Sequence, residues 1–209
     1  QFFVLSITFL VLSTLHLLFS KEILFSALDK DSARTLALPA RLLGDISGQR
    51  IIEIGAAPGG KTAQLAQAGA RVRALDRSPA RLARLRENMT RLGLTADIIE
   101  GDGRTWRPDT LADGGLLDAP CSATGTIRRH PEILWRRRPE DVTDLAERQV
   151  HLLRAALEMV KPGGLVVYSV CSLEAGEGPE LIEKFLSQSE NMVRVPLGES
   201  EISGLPEAR

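Results

Sequence analysis

An α/β fold, with a mostly parallel, doubly wound sheet and helices on both faces, is what this 209-residue sequence predicts. Three observations predict it. Short apolar runs alternate with amphipathic segments of helical period, which is the pattern of βαβ units. Helical segments carry Pro near their starts or Gly just past their ends, where each is favoured. The Gly, Asp and Cys residues with chemical potential stand directly after apolar runs, and parallel sheets bind ligands beyond the carboxyl ends of their strands.

The elements follow in order. Asp31-Ser32 can cap a helix whose apolar positions include Leu36, Leu38, Leu42 and Leu43. Gly44 to Gln49 is a turn. Arg50 to Ile54 is a buried strand, Gly60 to Ala68 a helix stopped by Gly69, and Arg71 to Leu75 a second strand. Pro79 to Leu92 is a helix bounded by its own Pro and by Gly93. Ala96 to Glu100 and Gly115 to Leu117 are short strands, the latter stopping at Asp118. Pro139 to Val160 is a long helix closed by Lys161-Pro162-Gly163-Gly164. Leu165 to Val170 is the most β-like run, Pro179 to Ser187 a further helix and Asn191 to Val195 a last strand.

Composition narrows the function classes. Hydrophobic residues make up 44% and charged residues 25%, which is globular rather than disordered. Aromatics are only 4%, so the core is mostly Leu, Ile, Val and Ala. The net charge of -1 gives no global attraction to nucleic acid, so such binding needs a local patch. Two cysteines, Cys121 and Cys171, do not make a disulfide scaffold, and no His/Cys set has zinc spacing. The first twenty residues carry no charge until Lys21. Such a run can span a bilayer or form the apolar part of a signal sequence, but no basic residue precedes it and no small-residue cleavage pattern follows. The favoured reading is a buried element of a preceding domain.

Gly55 to Thr62 reads GAAPGGKT and satisfies the phosphate-loop pattern. Two readings compete. In a triphosphatase the loop amides would wrap phosphates, and Asp118 would be the magnesium acid. Pro58 inside the loop donates no N–H and weakens that cradle. In the other reading the glycines let the backbone approach a nucleoside that carries no triphosphate. That reading expects an acid after the second strand for ribose hydroxyls, which Asp76 supplies, and one after the third near the base, which Asp102 supplies.

The richest strings are Asp118-Ala119-Pro120-Cys121-Ser122-Ala123-Thr124-Gly125 and Tyr168-Ser169-Val170-Cys171-Ser172, which set both cysteines after strands. With AAPGGKT at Ala56–Thr62, DAPCSATGTIRRHPEI at Asp118–Ile133 and KPGG at Lys161–Gly164, the chain resembles the RsmB/Sun-type RNA 5-methylcytosine methyltransferases over roughly Leu36 to Pro196. The resemblance implies a Rossmann-like methyltransferase fold that uses S-adenosyl-L-methionine. It implies that Cys171 is the nucleophile, that Cys121 assists product release and that Asp118 contacts both cofactor and cytosine. The residues alone leave the attacking cysteine open, since DNA cytosine methyltransferases attack from a Pro-Cys motif like Pro120-Cys121. Gly55, Ala56, Ala57, Pro58, Gly59, Gly60, Lys61, Asp76, Asp102 and Asp118 match the cofactor contacts.

Arg128, Arg129, His130 and Arg136, with Arg137 and Arg138, can contact RNA phosphates, and Trp135 can stack or pack; the bland alternative is a solvated helix start. The expected partner is RNA, with no metal and no membrane, for a monomer in the cytoplasm. Gly55 stands where the family often has Cys, and Val170 where Thr usually precedes the nucleophile. The family's lead-in motif is only faintly present at Leu28-Asp29-Lys30-Asp31, and its terminal β-hairpin is missing. The expected layout is an apolar segment over 1–28, a catalytic domain over 29–196 and an end loop over 197–209, cut at both ends. A non-catalytic RNA-binding or ribosome-assembly factor that keeps the fold is the alternative function.

Overall fold

The computed structural model describes residues 43–188 and 191–195. The expected helix after Asp31, the apolar first twenty residues, the lead-in motif and the end loop lie outside these.

Five strands form one parallel sheet: β1 (Arg50–Ile54), β2 (Arg71–Asp76), β3 (Asp97–Glu100), β4 (Ala112–Asp118) and β5 (Val160–Ser169). Their order is β3-β2-β1-β4-β5. The helices are α1 (Gly60–Gln67), α2 (Pro79–Leu92), α3 (Ile133–Arg136), α4 (Pro139–Glu158) and α5 (Pro179–Ser187). The central strand is buried on both faces because helices cover both. Ile51 joins a cluster with Leu65 of α1 and with Leu82, Leu85 and Met89 of α2. Its neighbour Ile52 points the other way, to Leu152, Leu153 and Ala156 of α4 and to Leu181 and Phe185 of α5.

Caps and register fix the ends. Ser78 caps α2 by accepting a bond from the Arg81 amide, Pro79 opens it, and Gly93 closes it in the left-handed conformation. Ile54 pairs with Leu75 and with Leu117, Asp76 with Glu100, and Asp118 with Ser169. The segments after these five strands therefore emerge along one edge. Strand order reverses between β1 and β4, so the crevice for a ligand opens there.

Three expectations are corrected. Lys161-Pro162-Gly163-Gly164 does not close the long helix; α4 ends at Glu158 and the segment lies within β5. Val160 already pairs with Ala112, and the register shifts before Leu165 meets Gly114. The extra residues form an irregularity that the ladder absorbs, and a proline without an N–H is tolerated there. Asn191 to Val195 is turn and irregular chain rather than strand, with Val193 exposed. The basic stretch before α4 holds one unexpected helical turn, α3.

Gly59 shows how tightly the first loop is built. Its φ is 102°, and an added Cβ would lie 2.9 Å from Leu85 Cγ. Gly59→Ala combines left-handed strain with a clash into the core, and is expected to lower stability by about 1–3 kcal/mol in urea unfolding.

Candidate active site

The loop after β1 uses its own amides. The N–H groups of Gly55 and Ala56 donate to Leu75 O, that of Ala57 to Asp76 Oδ2, and that of Gly59 to Ala56 O. Pro58 has none. The amides from Gly55 to Gly59 that could turn toward a phosphate are thus spent within the domain. The Lys and Thr of the string are also engaged by the domain itself. Lys61 Nζ lies 2.7 Å from Asp118 Oδ2, and Thr62 Oγ1 donates to Glu53 Oε2 at 2.6 Å. GAAPGGKT thus matches the phosphate-loop pattern in letters while its Lys and Thr side chains are held by Asp118 and Glu53.

Three carboxylates rim the crevice. Asp76 is buried; its Oδ1 accepts from Ser78 N at 3.0 Å, while Oδ2 pairs with Arg81 at 3.1 Å and accepts from Ala57 N at 3.2 Å. Asp102 is gripped by the Arg104 guanidinium, which holds its carboxyl down at about 2. Asp118, at the end of β4, is tied to Lys61 through Oδ2, and no other described residue engages its Oδ1.

Sequence reasoning missed Glu53, reading it as part of an apolar strand. Burial pushes its carboxyl up to about 8, against the hydrogen bond from Thr62. The signal was an acid inside an apolar run, which is rarely buried without a reason.

The two cysteines meet. Cys121 follows β4 and Cys171 follows β5, and their sulfurs lie 3.4 Å apart. The Cys121 thiol donating to Cys171 pulls the latter down to about 7, against burial and the Asp118 charge, with Lys61 assisting. Cys121 is pushed up, first by the same hydrogen bond and then by burial. A pair so arranged holds one sulfur as thiolate and the other as thiol near neutral pH. Gly125 seats the Cys121 loop against Cys171: its N–H donates to Cys171 O at 3.0 Å, and an added Cβ would lie 2.9 Å from that oxygen.

The basic residues divide. Arg128, Arg129, His130 and Arg136 are exposed, and His130 Nδ1 faces Glu132 at 3.3 Å. Arg137 is the one that touches the cysteine loop, donating to Ser122 O at 3.1 Å. Trp135 and Leu173 stand more than three-quarters exposed, at 80% and 82%. A separate cavity of about 540 Å³, lined by Arg50, Arg71, Arg73 and Asp97, opens toward the amino ends of the strands and holds none of these groups. Among the described residues no His/Cys/Asp/Glu cluster could hold a metal, and no helix is long and apolar enough to cross a membrane.

A parallel sheet with its switch point between β1 and β4, a glycine-rich turn over one side of it and carboxylates at the ends of β2 and β4 and just past β3 place this domain among the Rossmann-like methyltransferases. It is similar to a methyltransferase homologue from Pyrococcus horikoshii, at 33% identity and TM-score 0.63 over 73% of this chain and 49% of that one. It is also similar to NSun6 from Pyrococcus horikoshii, at 31% identity and TM-score 0.67 over 77% of this chain and 44% of that one. The chain belongs to the 16S rRNA methyltransferase RsmB/F family, whose model matches residues 40–207. Ribosomal RNA small subunit methyltransferase B of Erwinia tasmaniensis is 43% identical over 169 residues, 78% of this chain and 39% of that relative. The Klebsiella pneumoniae protein of the same name is 42% identical over 77% of this chain and 37% of its own length. The chain thus spans about two fifths of the length of the curated relatives it matches.

Proposed function

We propose that this domain methylates carbon 5 of cytosine in RNA, with 16S ribosomal RNA as the substrate and S-adenosyl-L-methionine as the methyl donor. The observation that carries the reading is the pair of sulfurs 3.4 Å apart beside the Asp118–Lys61 ion pair. Family membership and the relatives' names support the ribosomal substrate.

The residues present fit the donor. S-adenosyl-L-methionine is a nucleoside with a positive sulfonium and no phosphate, and the crevice carries the carboxylates of Asp76, Asp102 and Asp118 while the amides from Gly55 to Gly59 that could face a phosphate are engaged within the domain. NSun6 was solved with SFG, an analogue of this molecule. The loop from Gly55 to Lys61 would hold it with Asp76 and Asp102, and when bound it supplies the methyl group.

The chain's own residues do the rest. Carbon 5 of cytosine is a poor nucleophile. Cys171 Sγ bonds to carbon 6, and the electron pair of the carbon 5–carbon 6 double bond becomes available at carbon 5. Asp118 steadies the N3 edge of the ring as charge builds, and Lys61 holds Asp118 in place. After methylation the carbon 5 proton leaves, its bonding pair restores the double bond, and the carbon 6–sulfur bond breaks to return the Cys171 thiolate. Cys121 assists that release. The target base must leave its stack to reach the thiols. Arg128, Arg129, His130 and Arg136 would contact phosphates, and exposed Trp135 would stack on an adjacent base.

Calorimetric titration tests the loop. S-adenosylhomocysteine is expected to bind and Mg-ATP is not. Binding of Mg-ATP alone would overturn the assignment of GAAPGGKT.

A further inference from the structure

The geometry points to Glu177 as the positioning residue of the two-cysteine site: its buried carboxylate joins the loop that carries Cys121 to the loop that carries Cys171. The inference rests on the methyl-transfer reading for its kinetic consequence, but not for its geometry.

Glu177 lies six residues past Cys171, in the one-turn helix Ala175–Glu177, and is fully buried. No cation pairs with it among the described residues. A carboxylate in that position is costly unless hydrogen bonds satisfy it. Among the described residues its donors come from the Cys121 side of the site and from α4. The Ser122 amide donates to Oε1 at 2.9 Å and approaches Oε2 at 3.2 Å, the Ser122 hydroxyl donates to Oε2, and Gln149 Nε2 donates to Oε1 at 2.9 Å. Gln149 also donates to Pro120 O at 2.9 Å. Cys121 is therefore clamped on both sides, through Pro120 by Gln149 and through Ser122 by Glu177.

The same network reaches Cys171. Ser122 Oγ lies 2.9 Å from Ser172 Oγ, which lies 3.3 Å from Thr124 Oγ1, and the Leu173 amide donates to Thr124 Oγ1 at 2.9 Å. The Tyr168 hydroxyl, on β5, sits 2.7 Å from the Glu177 carbonyl and 3.0 Å from Gln149 Oε1. None of these groups touches a sulfur through its side chain. They fix the backbone on either side of both sulfurs, and so set how the sulfurs face each other.

Glu177→Gln keeps the shape but turns one acceptor into a donor facing Ser122 or Gln149. The expected result is a folded protein with unchanged affinity for S-adenosylhomocysteine and unchanged KM for RNA, but with kcat lower by on the order of a hundredfold, the scale of a misplaced reacting group. Phenylarsine oxide, which bridges two adjacent thiols, reads the spacing without any turnover. Its affinity is expected to fall in Glu177→Gln relative to the parent protein. Unchanged kcat and unchanged arsenical affinity in a folded variant would overturn the inference. Should Glu177→Gln not fold, Ser122→Ala removes only the bridging hydroxyl and is expected to weaken arsenical binding by about tenfold; no change there would overturn it equally. If the parent protein bridges the arsenical yet methylates no RNA, the functional reading fails while the positioning result still stands on the arsenical alone.

Discussion

Cys171→Ala is expected to reduce cytosine methylation below detection while S-adenosylhomocysteine binds as before. The loss should be on the order of a millionfold in kcat, the scale seen when the nucleophile of a catalytic unit is removed. Without the sulfur there is no adduct at carbon 6, and carbon 5 never becomes nucleophilic. Donor binding is expected to survive because the contacts proposed for it lie in the loop after β1, and Cys171 follows β5 at the far side of the switch point. The pH dependence follows from the same geometry. Cys171 is an acid whose deprotonated form reacts, and its neighbour's thiol lowers it from 9.0 to about 7. Near pH 7 about half of it is thiolate, against roughly 1% at the ordinary value. kcat/KM should therefore rise with pH below about 7 and level above it. A profile still climbing steadily through pH 8 would show that the sulfur pair does not lower Cys171.

The fold was legible because its signals are local. Apolar runs, a Pro at a helix start and a Gly at its end are written in adjacent residues; α2 carries both bounds and α5 its opening Pro, each over the range expected. The coming together of Cys121 and Cys171 was legible only in part. Each stands after a strand, but that β4 and β5 are neighbours depends on sheet order, which no single segment states. Lys161 to Gly164 misled because Pro and Gly mark helix ends and strand irregularities alike, and only pairing with β4 decides between them. Glu53 left one local signal, an acid inside an apolar run, whereas Gln149 and Glu177 were invisible as site residues. Acids and amides are surface residues by default, and the partners that hold Gln149 and Glu177 lie far along the chain: Ser122 is 55 residues from Glu177. Arg137 was read only as one more basic residue for RNA phosphates, since three consecutive arginines look alike until one of them bonds to the Ser122 carbonyl.

Cys121→Ala is expected to leave the protein covalently attached to its RNA. Once carbon 5 carries both a methyl group and a proton, the adduct resolves only if that proton leaves and its electrons expel Cys171. Cys121 is placed for this step: its sulfur is 3.4 Å from the departing one, and its thiol proton is held tightly while Cys171 is charged. Alanine removes the assisting group but not the nucleophile, so bond formation outpaces bond breaking. It also removes the main cause of Cys171's lowered value, so the first step should need a higher pH than in the parent protein. Incubation with S-adenosyl-L-methionine and labelled 16S ribosomal RNA near pH 8.5, followed by a denaturing gel, should show a slow-migrating protein–RNA band. The band should vanish in Cys121→Ala combined with Cys171→Ala, which lacks the attacking sulfur. Normal turnover by Cys121→Ala with no trapped band would mean that release needs no second sulfur, and the close approach of the two cysteines would then serve only to lower Cys171.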